Sequence, residues 1–541
     1  MAFRTASSIT PSRARWHPDS MALTLLTLVS FGISLRFAFA MPPLSGWDET
    51  AHAGYVIELM RGNLPRIDTW VVDDPRRFPQ LSDAIAGWNP RGRQVWVANH
   101  PPLYYLLAVP FMALADWLGI PGAGLLAMRV INAAGTAGCV VVVGLVAREL
   151  VGRRSVTLLA AVLAASAETL LMQGGYGYND GVAALFGGVA LLLGIRLLRR
   201  GSTLWRLSAL VIVATVAAGM KAPNLVVVAA CAAMAGAAVL VHRSTPHTVL
   251  RAFVAGGCVA GVPALAFGWF YLRNLRLYGD LTGADVLLTG FGRRARGTAL
   301  ETAFSPGFHR RWFEEIWIRP TYDPDLRIIP HLLLALAVLG LLLLGFDRLH
   351  HRNARRPWGM AASSGSETER RGLAVAWWVL VAHFGVVLVL LIQFHSAGGY
   401  VHRRYLLPIL PLLATVLAVG LLRSAMVVRS SDRTRWQAMV VLLLATGMLL
   451  LPFVAGGSSV WSVERVPKAP GLEYSMIGWP ASLVASGTAA LAAFGFLIME
   501  ARRVLEMSDG SGRPHNAAAR RREGDAPSHA GRDTADFSSP T

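Results

Sequence analysis

Charged residues and cysteines are both scarce in this chain of 541 residues. Only 15% of the residues are charged, against 54% that are hydrophobic, whereas soluble domains carry about 25% charged residues. This composition argues strongly against a soluble globular protein. The three cysteines, Cys139, Cys231 and Cys258, each lie inside an apolar run. Neither a disulfide framework nor a metal site with cysteine spacing is therefore predicted.

Motifs of several enzyme classes are missing as well. The chain has no P-loop, no His-Glu-x-x-His zinc motif and no Gly-x-Ser-x-Gly nucleophile motif. The segment 290–292 resembles part of a nucleotide-binding loop, but no predicted strand precedes it. The first apolar run is too long for a secretory signal, and no small-residue cleavage site follows it. Nucleotide-dependent chemistry and a cleaved signal peptide are therefore not expected.

Long apolar runs dominate what is present. A membrane-spanning helix needs about 20 mostly apolar residues. An all-α, polytopic transmembrane bundle of about 12 helices is predicted, with spans near 21–41, 124–147, 155–173, 180–198, 204–220, 222–241, 250–272, 328–346, 373–393, 404–424, 436–456 and 479–499.

The net charge of +19 sets the predicted orientation of this bundle. In a soluble protein such an excess would suggest nucleic acid, but in a membrane protein it collects in cytoplasmic loops. The rule places residues 1–20 and both termini in the cytoplasm. The short run 103–118 is then a helix that lies in the outer interface or re-enters it, because a crossing there would move every later arginine-rich loop outside.

The same topology divides the chain into functional regions. Residues 21–424 are predicted to form the catalytic module, with long outer loops at 42–123 and 273–327. Residues 425–502 add further transmembrane helices, and 503–541 lack apolar periodicity and are predicted to be a disordered cytoplasmic tail.

Two adjacent acids and a histidine follow the first span. Acids at a membrane boundary are costly unless they are solvated or used. Adjacent residues on a helix point about 100° apart, so Asp48 and Glu49 are expected to serve different partners. Asp48 and His52 are four residues apart and share a helix face. Two alternatives stay open: Asp48 as the N-cap of an interfacial helix, and a metal site that would need a further, distant ligand.

Further polar residues reach the predicted outer face from later segments. His100 precedes two prolines, where it either binds an anion or caps the turn. Asp180 opens an apolar span and either serves the site or caps its helix. Lys221 is the lone charge between two spans, where it either snorkels to the headgroups or holds a phosphate. The remaining basic candidates at span ends are Arg273, Arg403 and Arg404.

These basic residues lie on the side that the positive-inside tendency disfavours. A bound anion, such as a lipid-linked phosphate, would account for them. Together with Asp48, Glu49 and Asp180, they predict a carboxylate site beside a phosphate site at the lipid boundary.

Taken in chain order, these motifs resemble the GT-C glycosyltransferases. The likeness rests on the Asp48-Glu49 pair, the His-Pro-Pro-Leu-Tyr-Tyr segment from His100, the turn with Asp180, Lys221, and the Arg404-Tyr405-Leu-Leu-Pro helix start. It is strongest to the protein O-mannosyltransferase and aminoarabinose-transferase branches and to related bacterial membrane proteins, and it covers most of 21–424.

The resemblance implies an enzyme of the bacterial plasma membrane. Such an enzyme would take a sugar from a polyprenyl-phosphate donor at the outer face and pass it to a glycan, lipid or protein acceptor, with no nucleic acid involved. It implies that Asp48 is the base or acceptor-binding group and that Asp180 is a second acidic position. Lys221 would contact the donor phosphate.

The remaining positions match less closely. Arg404 and Tyr405 match a late Arg-Tyr position, and Arg273 is a looser match. Glu49 would support Asp48 or contact a divalent metal ion, with His52 as a second metal candidate. The alternatives are a transporter or flippase of lipid-linked saccharides and a non-catalytic subunit with the same fold.

Overall fold

A computed structural model describes residues 18–41, 44, 48–71, 94–243, 245–317, 328–350, 366–400, 403–426, 433–454 and 475–510. Over these ranges the ordered elements are helices, and the β-structure is limited to an isolated antiparallel bridge between Trp70 and Gln94. The predicted all-α, polytopic class is confirmed.

The α-helices, numbered in chain order, are α1 (Pro18–Ala40), α2 (Glu49–Met60), α3 (Leu103–Trp117), α4 (Pro121–Val151), α5 (Arg154–Ala165), α6 (Glu168–Gly174), α7 (Asp180–Arg200), α8 (Leu204–Met220), α9 (Asn224–His242), α10 (Thr248–Tyr278), α11 (Ala284–Gly290), α12 (Ala299–Ala303), α13 (Pro306–Trp317), α14 (Ile328–His350), α15 (Glu367–Ser396), α16 (Leu410–Ala425), α17 (Arg433–Val454) and α18 (Ser475–Gly510). Short 3₁₀ helices span Trp96–Asn99 and Arg403–Ile409.

Nine helices of the described chain are long and apolar enough to cross a membrane. Three of the predicted spans, 155–173, 204–220 and 436–456, correspond instead to shorter apolar helices, as does the run 103–118. The chain is thus built as a multi-pass membrane protein, and the count of twelve crossings stays a prediction. Helix α18 continues to Gly510, and the rest of the predicted tail lies outside the described residues.

The predicted span 155–173 is divided into α5 and α6 by a break at Ser166 and Ala167. Side chains from other helices donate hydrogen bonds to backbone carbonyls on either side of the break. The Trp317 indole donates to the Leu163 carbonyl at 3.0 Å, and the Ser34 hydroxyl donates to the Leu171 carbonyl at 3.0 Å. Side chains inserted beside a helical ladder are a known cause of such interruptions.

Helix α4 occupies the centre of the bundle, where it packs against α1, α3, α5, α7 and α16. Its approach to α7 depends on small residues. A Cβ on Gly135 would lie 2.5 Å from the backbone nitrogen of Val182, and one on Gly181 would lie 2.5 Å from the Asn132 carbonyl oxygen. Glycine allows backbones in a membrane to come this close. The contact holds the start of α7 against α4.

Ion pairs join the helix ends at the end of the bundle that lies away from the start of α7. Arg154 contacts Asp19 and Glu500, each at 2.5 Å, and so joins α5 to α1 and α18. Glu149 receives three arginines from α7: Arg196, Arg199 and Arg200. This end carries the basic residues that the positive-inside rule assigns to the cytoplasm.

Candidate active site

Four charged side chains from separate parts of the chain meet at the other end of the bundle. Asp48 precedes α2, Asp180 begins α7, Lys221 lies between α8 and α9, and Arg404 lies in the 3₁₀ turn before α16. Arg404 contacts the Asp48 carboxylate at 2.5 Å and lies 3.8 Å from the Asp180 carboxylate. Lys221 donates to the other oxygen of Asp180. Two negatively charged and two positively charged side chains therefore form one charge-balanced cluster.

Asp48 is the most accessible of the three candidate acids. Its side chain is 17% exposed, against 1% for Asp180 and 0% for Glu49. The Trp96 indole donates to Asp48 Oδ1 at 3.3 Å, and the Tyr178 hydroxyl accepts from the Asp48 backbone N–H at 3.2 Å. Among these three carboxylates, that of Asp48 is the best placed to meet a substrate.

Neither Asp48 nor Asp180 caps the N-terminus of its helix with its side chain. Asp48 occupies the N-cap position of α2, but its side chain makes no capping hydrogen bond. The N-cap of α7 is Asn179, so Asp180 is already the first helical residue. Both carboxylates instead face the basic side chains of the cluster.

Glu49 binds a different partner from that of Asp48, as the adjacent positions of the two residues predict. Arg129 of α4 donates to both Glu49 carboxylate oxygens at 2.7 Å, and the Gly177 backbone N–H adds a bond of 2.8 Å. Arg129 also donates to the carbonyls of Ala38 and Met41, each at 2.7 Å. This buried pair fixes the start of α2 against α1 and α4.

A second residue of α4, Asn132, orders the turn that leads into Asp180. It follows Arg129 by three residues and so lies on the same helix face. The Asn132 amide donates to the carbonyls of Gln173 and Tyr176 at 2.6 and 3.0 Å, and its oxygen accepts from the Gly181 N–H at 2.8 Å. One face of α4 therefore positions both acidic segments.

Lys221 is held inside the protein and does not extend towards the headgroups. The Asn179 amide donates to the Met220 carbonyl at 2.9 Å, next to Lys221. The Asn224 amide closes the same turn by donating to the Ala183 and Ala217 carbonyls, each at 3.0 Å. Burial lowers the pKa of Lys221 from its ordinary value, an effect that Asp180 opposes. The ammonium group therefore depends on an anionic partner.

Two histidines border the charged cluster through one tyrosine. The Tyr105 hydroxyl lies 2.9 Å from His52 Nδ1 and 3.3 Å from His100 Nδ1. Burial, and then the nearby positive charge of Lys221, places the pKa of both imidazoles well below the ordinary histidine value. Both rings are therefore neutral at neutral pH and can accept or donate a hydrogen bond.

Several buried polar atoms around the cluster have no hydrogen-bond partner among the described residues. They are Asp180 Oδ2, His52 Nε2, Asn179 Oδ1 and Arg404 Nε. A buried polar group without a partner costs about 1–3 kcal/mol. Such groups are rare in native interiors. Others occur elsewhere in the described chain, for example Ser30 Oγ and Arg423 Nε, but these four lie at the charged cluster, where a polar ligand would supply partners for them.

The other predicted residues lie at the margin of the cluster. Arg273 donates to the Leu64 and Pro65 carbonyls at 3.3 and 2.7 Å, which ties α10 to the segment after α2. The Tyr405 ring centroid lies 5.8 Å from the Arg404 guanidinium. The backbone of Arg403 starts the 3₁₀ turn, and its side chain lies outside the described residues.

The candidate metal ligands were Glu49 and His52. Both oxygens of Glu49 are occupied by Arg129, and one also by Gly177. Within the described part of the chain, no group of three or more His, Cys, Asp or Glu side chains is arranged to hold a metal ion. Glu49 therefore does not fit a metal-ligand role.

Sequence reasoning missed Arg129 and Trp96, which position the two acids. Arg129 had a usable signal, because a lone arginine inside a predicted span is expensive and calls for a partner. Trp96 stands in a long loop, where nothing in the local pattern separates it from other interfacial tryptophans.

No family model and no curated protein sequence matches the chain. Among solved structures it is similar to ArnT from Cupriavidus metallidurans bound to undecaprenyl phosphate, with 14% identity, 89% of this chain and 76% of that chain covered, and a TM-score of 0.44. The apo state of the same protein gives 15% identity, coverage of 89% and 76%, and a TM-score of 0.38.

A third similar structure is the archaeal oligosaccharyltransferase AglB from Archaeoglobus fulgidus, in complex with an inhibitory peptide and a dolichol-phosphate. It shows 13% identity and a TM-score of 0.39, with 90% of this chain but only 56% of that chain covered.

Proposed function

We propose that this protein is a membrane glycosyltransferase that moves a sugar from a polyprenyl-phosphate donor to an acceptor at the outer face of a bacterial plasma membrane. The observation that carries the proposal is the meeting of Asp48, Asp180, Lys221 and Arg404 at one end of the helical bundle. This cluster pairs an accessible carboxylate with two cations, and sugar transfer from a lipid phosphate needs both.

The cations are suited to the donor phosphate. Lys221 supplies a compact charge and Arg404 a planar fork of donors, and both approach the single carboxylate of Asp180. When the bond between the anomeric carbon and the phosphate oxygen breaks, its electron pair stays on the phosphate. Fixed cations beside that oxygen stabilise the developing negative charge.

Asp48 is proposed as the base. The acceptor's nucleophilic atom attacks the anomeric carbon, and its proton passes to the Asp48 carboxylate as the bond to phosphate breaks. Trp96 holds one carboxylate oxygen and Arg404 the other. Direct displacement of this kind inverts the anomeric centre.

Arg404 couples the two substrates. Without donor its guanidinium is paired with Asp48. A donor phosphate would compete for the same guanidinium and so release the carboxylate when the donor is in place. Because the cluster is already charge-balanced, an anionic donor makes it net negative, and uptake of the acceptor's proton by the released Asp48 carboxylate restores the balance.

The remaining residues are proposed to position the reactants. His52 Nε2 and Asn179 Oδ1 are buried and have no hydrogen-bond partner among the described residues, and their proposed role is to bind hydroxyl groups of a sugar. Glu49 acts through Arg129 as a positioning residue, and Arg273 through the segment 64–65. The acceptor is a glycan, lipid or protein.

The rival functions receive less support from the geometry. A transporter would be expected to place its polar site near the membrane midplane, whereas Asp180, Lys221 and Arg404 stand at or beyond helix ends. A non-catalytic subunit has no need for a buried Asp180–Lys221 pair beside an accessible carboxylate. The opposite end, with its arginine pairs, is proposed to face the cytoplasm, together with both termini.

The test uses membranes in which polyprenyl-linked sugars carry a radioactive label. Membranes from cells producing the protein are expected to move label from the lipid fraction into an envelope glycan, lipid or protein, and a deletion strain is not. Arg404→Gln should lose this transfer, whereas Arg423→Gln, which removes an arginine paired with Asp347 at the opposite end, should keep it. Label that crosses the membrane still attached to polyprenyl would favour the flippase, and identical label in all strains would contradict the proposal.

A further inference from the structure

A second basic cluster lies beside the candidate active site and takes no part in the proposed chemistry. It consists of four exposed arginines in the segment between α11 and α13, together with α13 itself: Arg293, Arg294, Arg296 and Arg311. We call it the outer basic patch. None of the four forms an ion pair with an aspartate or glutamate of the described chain. Arg310, by contrast, pairs with Glu314 at 2.6 Å.

The patch is built around Tyr400. The guanidinium carbons of Arg296 and Arg311 lie 5.8 and 5.7 Å from the centre of the Tyr400 ring. Both distances fall within the roughly 6 Å range of cation–π attraction. The two guanidinium groups repel each other, and an anion near both would offset that repulsion.

The backbone anchors this arrangement to the end of a membrane span. The Arg296 N–H donates to the carbonyl of Ser396, the last residue of α15, at 2.8 Å. Gly398 has φ +105°, and a Cβ there would lie 2.5 Å from the Arg294 carbonyl oxygen. The backbone of the arginine-bearing loop thus packs against the turn that follows α15, which fixes the position of the loop at the end of that helix.

The position of the patch indicates the headgroup level of the bilayer. Helix α15 qualifies as a membrane span and ends at Ser396, and tyrosines such as Tyr400 favour this interface. The same segment exposes large apolar side chains, with Leu300 70% and Phe304 78% accessible. Basic and apolar side chains together on an exposed segment are typical of protein that lies in the membrane interface.

We propose that the outer basic patch binds the phosphate of an anionic phospholipid headgroup, with Leu300 and Phe304 in contact with the acyl region. Arg296 and Arg311 hold the phosphate oxygens, and Arg293 and Arg294 add long-range attraction. The charge is opposite to that of the ligand, and the apolar neighbours favour a lipid over an acceptor glycan in solution. The patch also adjoins the candidate site, because the Phe291 ring contacts Trp96 at 6.0 Å.

The experiment titrates the purified full chain in detergent with phosphatidylglycerol and counts bound lipid by native mass spectrometry. Loss of two interfacial arginines should weaken binding about thirtyfold, which corresponds to about 1 kcal/mol for each charge at 1.4 kcal/mol per tenfold. The variant is Arg296→Gln/Arg311→Gln. The matched control is Arg310→Gln, which removes a neighbouring charge that is already paired and should bind as the unaltered chain does.

Further measurements separate the alternatives. Phosphatidylcholine should bind weakly and without dependence on the two arginines. Equal phosphatidylglycerol binding by the double variant and the control would overturn the proposal, as would displacement of the lipid by inorganic phosphate at equal concentration. Unchanged lipid binding with a selective loss of sugar transfer would assign the patch to the acceptor and contradict a lipid site. If the double variant aggregates, Arg311→Gln alone, exposed on α13, provides the same comparison.

Discussion

The buried pair of Glu49 and Arg129 offers a sharp test of which acid reacts and which acid only positions. The perturbation is Glu49→Gln. Both partners are at most 3% exposed. The glutamine amide has one oxygen left to accept from Arg129, so the negative charge and one of the two bonds of 2.7 Å are lost, while the bonds of Arg129 to the carbonyls of Ala38 and Met41 remain. Breaking a buried pair by removing one partner costs about 3–5 kcal/mol, a large part of a typical stability of about 5–15 kcal/mol.

The assay measures the free energy of unfolding in mixed micelles together with sugar transfer. Glu314→Gln is the matched control, because its partner Arg310 is 66% exposed and such a pair contributes at most about 1 kcal/mol. The double variant Glu49→Gln/Arg129→Leu should be less destabilised than Glu49→Gln, since it leaves no buried cation unpaired. If Glu49→Gln unfolds like the unaltered chain yet has no transfer activity, Glu49 takes part in the chemistry and the positioning role is wrong.

Three further predictions follow from the same geometry. Lys221→Gln should weaken binding of undecaprenyl phosphate about 10- to 100-fold, because it removes a charge-assisted bond of about 1.5–3 kcal/mol. Arg276→Gln, at an exposed arginine, should leave the Kd unchanged. Equal Kd values for the two variants would contradict the phosphate role of Lys221. Because burial lowers the pKa of His52 and His100, the unfolded chain takes up protons below about pH 6.5 that the folded chain does not. The free energy of unfolding should therefore fall as the pH drops below about 6.5, and His52→Gln/His100→Gln should flatten this fall; an unchanged slope would count against neutral buried rings. A tag after α18 should resist labelling in intact cells, and external labelling would overturn the proposed orientation.

The helices could largely be predicted from the sequence because a bilayer leaves few alternatives to long apolar helices. Helix α7 begins at Asp180, as predicted, and α9 begins at Asn224, two residues from the predicted start. The break between α5 and α6 could not be predicted, because it comes with a tertiary contact that local sequence does not specify: the Trp317 indole of α13 donates to the Leu163 carbonyl at the end of α5.

The candidate site could be predicted as a set of residues but not as a set of partners. Motif order brought Asp48, Asp180, Lys221 and Arg404 to one face. The pairing of Glu49 with Arg129 joins positions 80 residues apart, and it depends on how α2 and α4 pack. Helical geometry predicted that Asp48 and Glu49 would serve different partners, but only the packing decides which of them meets Arg404.

The central claim is that Asp48 reacts while Lys221 and Arg404 hold the donor, and Asp48→Asn tests it most directly. Donor binding and sugar transfer are measured on the same preparation, with undecaprenyl phosphate as the binding probe. Loss of a general base should slow transfer by about 10²- to 10⁴-fold. The Kd for undecaprenyl phosphate should stay the same or fall, because Arg404 no longer pairs with a competing carboxylate. Transfer at the original rate, or a loss of lipid binding that matches the loss of transfer, would contradict the account.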